Sequence, residues 1–184
     1  KAWLKIIPVR RRGLFVHVRL PGLRTGITLA GRHDRIERLV LFGADRTPRE
    51  KPLPEPPSLA EIFALARARN KKLEALARDF ILRQVPAEKG YSPEMQLARR
   101  VAGRMSGYSH PVMTITGSGN QGIFLGLPYR KLYAEQGAAI LPAVVFSLLA
   151  QVYLSNKNDR LSSKCGLATK AAPALAAGLA FARG

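Results

Sequence analysis

One cysteine among 184 residues, Cys165, excludes an internal disulfide framework and any zinc site built from several thiolates of this chain. By default a lone thiol in an apolar neighbourhood is packing. Acidic residues are scarce as well, twelve against thirty Lys and Arg, for a formal charge of +18. Such an excess favours polyanions as partners. Aromatic residues make up only 7%, and the Arg-rich first half lacks the aromatic pairs on which single-stranded nucleic acids stack. A nucleic-acid partner is therefore open but not favoured. No charged, apolar and small-residue leader of signal type is present, so the expected location is cytoplasmic. The first residue is Lys1, as expected of a chain that begins earlier or has been trimmed.

What is present is enough apolar residue, 47%, for a folded domain with a core. Over 14–20 the chain alternates, with Leu14, Val16, Val18 and Leu20 on one face and Phe15, His17 and Arg19 on the other, which predicts a half-buried strand. Pro21-Gly22 supplies the residues of a type II turn, and 27–30 and 36–42 read as two further strands. Five prolines then crowd a charged stretch that reads as an extended connector. The expected fold class is α+β: a small basic antiparallel β-meander over 1–45, a Pro-rich linker over 46–57, and a mainly α-helical bundle domain over 58–184.

Beyond the linker the period changes from two to about 3.6. Ser58 and Glu61 form a capping box ahead of one long helix whose apolar stripe is Leu59, Ile62, Phe63, Ala66, Leu73, Leu76 and Phe80, and Pro86 stops it. Ser92-Pro93 starts another helix that Gly107 ends. A helix over 123–134 is expected to be interrupted at Pro128. The uncharged run over 137–154 has the length of a bilayer span, but Pro142, Ser147 and Gln151 interrupt it, so it is read as the centre of a bundle and no membrane is expected. Ala and Gly dominate 167–181 and allow close helix packing.

The densest candidate chemistry is V-M-T-I-T-G-S-G-N-Q-G-I over 112–123. Gly117, Gly119 and Gly122 let backbone N–H groups converge without Cβ obstruction. If Gln121 opens the following helix, its unpaired amides and positive dipole end would hold a carboxylate or phosphate. The spacing also satisfies G-x-G-x-x-G, but a dinucleotide site needs a later strand ending in an acid. The corresponding region, 140–149, contains Pro142 and no acid.

A-G-R-M-S-G (102–107), then G-S-G-N-Q-G-I, then R-L-S-S-K-C-G (160–166) resemble the α-chain domain of iron–sulfur-dependent L-serine dehydratases and their L-cysteine desulfidase-like relatives. The resemblance is strongest from about residue 98 onward. It implies a lyase that converts L-serine or L-cysteine to pyruvate and ammonia, with a [4Fe–4S] cluster acting on the leaving group. It also implies that Ser118, Gly119, Asn120, Gln121 and Gly122 bind the amino-acid substrate and that Cys165 is a cluster ligand. A homodimer or a second subunit is left open as a partner. His33 matches a family histidine of unassigned role. Lys157, Arg160 and Lys164 would favour the Cys165 thiolate if they face it. Other members carry further cluster cysteines; this chain has none. Two readings from other classes remain: a basic nucleic-acid-binding module, and a metal-free protein that binds small amino or carboxylic acids.

Overall fold

The computed structural model describes residues 6–10, 15–30, 36–48, 56–84, 90–108, 111–157 and 165–184. His33, Arg160 and Lys164 lie outside them. The chain is α+β and divides into two units, Lys1–Pro54 and Glu55–Gly184.

In the first unit, β1 (Phe15–Leu20), β2 (Thr25–Ala30), β3 (Ile36–Leu41) and β4 (Ala44–Asp45) form an antiparallel sheet in chain order. Its register places His17 opposite Thr28 and Thr28 opposite Arg38. Together with Arg19, Arg24 and Arg38, His17 lines a shallow basic hollow of about 440 Å³. Three expectations are corrected. Val16, Val18 and Leu20 are exposed rather than half-buried. The Pro21-Gly22 turn is a 3₁₀ turn, Pro21–Leu23, and Arg24 rather than Gly takes the left-handed conformation, with φ 49°. The third strand ends at Leu41 because Phe42 (φ 52°) and Gly43 (φ 86°) form a two-residue hairpin turn into β4. A hairpin turn of type I′ has positive φ at both central positions.

In the second unit the expected long helix is two helices, α1 (Leu59–Arg67) and α2 (Lys71–Leu82). Ser58 and Glu61 form the capping box, with Ser58 N–H donating to Glu61 Oε2 at 2.7 Å. The break comes from Arg69, at φ 52°, and from Asn70, whose side-chain oxygen accepts the amides of Lys72 (3.0 Å) and Leu73 (3.2 Å). A fresh N-cap restarts the helical phase. As a result Ala77 and Ile81 are buried, while Leu76 is 66% exposed. Helix α3 (Pro93–Met105) begins under the Ser92 cap and ends before Gly107, which has φ 89°.

Helix α4 (Gly119–Gln136) starts earlier than the periodicity indicates and continues through Pro128. A 3₁₀ turn, Gly137–Ile140, leads into α5 (Leu141–Lys157). This is the apolar run, and it packs against α6 (Ala172–Arg183), α1 and α2. The helical stretch Gly119–Lys157 is long and apolar enough to cross a membrane, yet 44% of its most apolar window is buried inside the unit. Phe63, Phe146 and Phe181 bring α1, α5 and α6 together, with ring centroids 5.2–6.0 Å apart. Gly178 of α6 has no room for a Cβ, which would overlap the hydroxyl oxygens of Ser147 and Tyr129 and lie 2.7 Å from the Ala143 carbonyl oxygen. Those hydroxyls are 2.6 Å apart, and Ser147 donates to the Ala174 carbonyl at 2.7 Å. Small residues thus allow helix α6 to approach a buried polar pair rather than a purely apolar seam.

Candidate functional site

The glycine loop is a two-residue turn followed directly by a helix. Thr116 (φ 51°) and Gly117 (φ 82°) reverse the chain, and the Ile115 and Ser118 backbones pair across them at 2.9 and 3.3 Å. Ser118 is the N-cap of α4, and its hydroxyl accepts the Gln121 amide at 3.3 Å. The Gly122 amide makes the first full helical bond, to the Ser118 carbonyl at 3.1 Å. The helix therefore opens at Gly119, two residues before Gln121. Of its first-turn amides only those of Gly119 and Asn120 donate to nothing among the described residues. They are the backbone donors that remain for an anion.

Not every glycine serves a ligand. A Cβ on Gly122 would overlap the Met113 carbonyl oxygen, so this glycine lets the incoming strand of chain lie directly on α4. Gln84, almost fully buried, ties the same segment down by donating to the Met113 carbonyl at 3.2 Å. Gly119 makes room for Arg104, whose guanidinium carbon would lie 2.9 Å from an added Cβ. Arg104 donates to Asn120 Oδ1 at 3.0 Å, and Asn120 Nδ2 reaches Met105 Sδ at 3.2 Å.

Gln121 points the other way, into a buried polar cluster. Its side-chain oxygen accepts from Gln151 Nε2 of α5 and lies 3.5 Å from Thr116 Oγ1. Ser155, also buried on α5, donates to Thr116 Oγ1 at 3.3 Å. Gln151 is fully buried, and its Oε1 has no hydrogen-bond partner among the described residues. Gly166 closes the cluster, since a Cβ there would overlap Gln121 Nε2. The chain just after Cys165 is thus pressed against the first turn of α4, so the two motifs meet. Cys165 itself is exposed. It precedes a π-helical turn, Leu167–Ala171, in which Lys170 is buried.

The structure therefore gathers Ser118, Gly119, Asn120, Gln121 and Gly122 at one helix end, with Cys165 one residue from the Gln121 contact. It also adds Arg104, Thr116, Gln151 and Ser155, which the sequence alone did not assign to the site. Arg104 sits inside the A-G-R-M-S-G string, which was the available signal. Gln151 lies in the apolar run and Ser155 just beyond it, where a polar residue on a buried face is itself a clue.

A family model described as serine dehydratase alpha chain matches residues 57–184. The chain belongs to this family. Among curated relatives it is similar to a UPF0597 protein of Thermosipho africanus, 39% identical over 87 residues, covering 46% of this chain and 21% of that protein. A UPF0597 protein of Kosmotoga olearia is 34% identical over 107 residues, covering 52% and 25%. One of Fusobacterium nucleatum is 40% identical over 84 residues, covering 44% and 19%. The match spans about a quarter or less of the length of each of these relatives. No solved structure matches the chain.

The dehydratase resemblance implies a [4Fe–4S] cluster, which several thiolates hold. The donors present do not fit one. The sequence has a single cysteine, and among the described residues no group of three or more His, Cys, Asp or Glu could hold a metal ion.

Proposed function

We propose that this chain forms the amino-acid-binding part of a serine dehydratase-type lyase acting on L-serine or L-cysteine. Elimination across the α and β carbons gives an aminoacrylate, which becomes an imine and hydrolyses to pyruvate and ammonia, with water or sulfide as the other product. The observation that carries this reading is the contact between Gly166, beside Cys165, and Gln121 in the first turn of α4. Two short motifs far apart in sequence build one site.

In this reading the substrate carboxylate accepts from the Gly119 and Asn120 amides, with the positive end of the α4 dipole behind them. The Asn120 carboxamide, steadied by Arg104, orients the amine, and Gln121, held by Gln151 and Thr116 in the buried cluster, fixes the helix turn that carries the two amides. Ser118 keeps the helix end open by capping Gln121 instead of the two binding amides. No step is assigned to a cluster. Cys165 is the single thiol these residues could contribute to one, and the remaining thiolates would have to come from outside them.

Thermal unfolding with added amino acids tests the reading. L-Serine or L-cysteine at about 100 times Kd should stabilise the protein by about 3 kcal/mol, while the D-enantiomers should not. Equal effects of the two enantiomers, or no effect up to the solubility limit, would overturn it.

A further inference from the structure

On one face of the β-sheet the register sets Arg19 beside Gly26 and Val40, and His17 beside Thr28 and Arg38. Arg19 and Arg38 thus stand on the two strands that flank β2, with Gly26 and Thr28 between them. A glycine inside a strand leaves a gap where another group can approach the backbone closely. Arg24 joins them from the β1–β2 turn. Its guanidinium rests on Gly43, where an added Cβ would lie 3.0 Å from Nη2 and 3.1 Å from Cζ, and the Gly43 amide donates to the Arg24 carbonyl at 2.8 Å. The Thr28 hydroxyl and His17 Nδ1 are 2.9 Å apart, which holds the imidazole and leaves its Nε2 without a partner among the described residues. Together these residues line the basic hollow of about 440 Å³.

No carboxylate is among the hollow's described lining residues. Like charges gathered on one sheet face repel each other, and a bound anion relieves that repulsion. The Asp45 carboxylate acts electrostatically on Arg38, but it accepts from the Thr47 amide at 2.8 Å and the Thr47 hydroxyl at 2.5 Å and is not part of the lining. Guanidinium groups recognise phosphate oxygens through charge-assisted, often paired hydrogen bonds. The volume is that of a small-ligand site, and arginines on both sides of β2 call for a ligand charged at two points. His17 carries the only ring in the described lining, so the bases of a nucleic acid would have no platform on which to stack. We propose that this hollow binds the diphosphate group of a small molecule, with Arg19 and Arg38 on its two phosphoryl groups and Arg24 and His17 completing the donors. None of these residues belongs to the motifs of the amino-acid site.

Inorganic pyrophosphate is the probe, with inorganic phosphate as its comparison, both titrated calorimetrically into the full chain at about 0.15 M salt, where long-range attraction is screened. Pyrophosphate should bind with 1:1 stoichiometry and about tenfold more tightly than phosphate, because it reaches the arginines on both sides of β2. Arg19→Ala and Arg38→Ala, both at exposed positions, should each weaken it about tenfold while circular dichroism stays unchanged. Arg78→Ala removes the same charge from the exposed face of α2 and should leave the affinity as it was. ADP distinguishes the two sources of a diphosphate: binding at least as tight as that of pyrophosphate supports an esterified ligand, and weaker binding supports the free ion. Equal affinity for phosphate and pyrophosphate would overturn the proposal, as would equal losses in Arg38→Ala and Arg78→Ala. Either result would place the anion on the general basic surface of a chain of charge +18. Duplex DNA that binds through Arg38 where pyrophosphate does not would overturn it in favour of a nucleic-acid face. None of these readouts requires serine binding or turnover, so failure here is distinct from failure of the lyase reading.

Discussion

Gly166 and Gln121 share a contact that leaves no space for one more methyl group: a Cβ on residue 166 would overlap Gln121 Nε2 and lie 3.2 Å from its Cδ. Gln121 cannot swing away without leaving Gln151, to which it is hydrogen-bonded in the interior. Gly166→Ala should therefore destabilise the protein by about 1–3 kcal/mol, the cost of breaking a buried polar pair. In a Gln121→Ala background the same substitution should be nearly neutral. A double-mutant cycle in urea measures this coupling, and strict additivity would show that the two residues do not touch.

Asn120→Ala should weaken L-serine binding about tenfold while moving the unfolding midpoint little. The side chain is partly exposed and its partners are Arg104 and Met105, so its loss leaves the caps of α4 intact. Calorimetric titration beside a melting curve separates the two effects. Unchanged affinity would remove Asn120 from the site.

The approach of α6 depends on Gly178. Gly178→Ala should cost about 1–3 kcal/mol by overpacking, since the oxygens of Ser147, Tyr129 and Ala143 all lie where the methyl would go. Gly184→Ala, at the chain end with nothing within 4 Å of an added Cβ, is the control, although its φ of 103° carries local strain. Chemical denaturation of the pair makes the comparison.

Burial pushes the Tyr129 phenol up from 10.0 to about 12, against a smaller opposing effect of its Ser147 hydrogen bond. A folded-state value above the unfolded one gives stability that is complete below pH 10 and is lost as pH rises toward 12. Over that window the loss should be about 2–3 kcal/mol. Tyr129→Phe should be less stable by about 1 kcal/mol at neutral pH yet lack this alkaline component. Stability measured from pH 9 to 12 for both proteins checks the sign, and parallel curves would contradict it.

Asn70 accepts two amides at the start of α2. Asn70→Ala should cost about 1 kcal/mol, a typical loss for an N-cap. The effect should appear as a lower denaturation midpoint with an unchanged slope.

Where a side chain acts on its own backbone, the element was legible in the sequence. Ser58 with Glu61, Ser92 with Pro93, and Gly107 each mark a helix end through groups three or fewer residues away, and each is found in that role. The α+β order and the strongest family motifs were legible for the same local reason. The break at Arg69 was not, because Arg is an ordinary helix former and only the Asn70 cap beyond it favours a restart. The same holds for Phe42, a non-glycine residue in the left-handed conformation at the β3–β4 turn.

By itself, then, the sequence determined that a basic antiparallel meander precedes a helical unit, and that a glycine-rich helix start and a Cys-Gly pair are the chemical landmarks of that unit. Periodicity, caps and turn residues are enough for that, since they operate over a few positions. Only the tertiary structure decided that Gly122 and Gly178 serve close packing and that Gly166 rests on Gln121. It also decided that Gln151 and Ser155 of the central helix reach the loop. Each of these depends on which helix faces share a small volume, and that is set by burial of the whole apolar surface rather than by any local pattern.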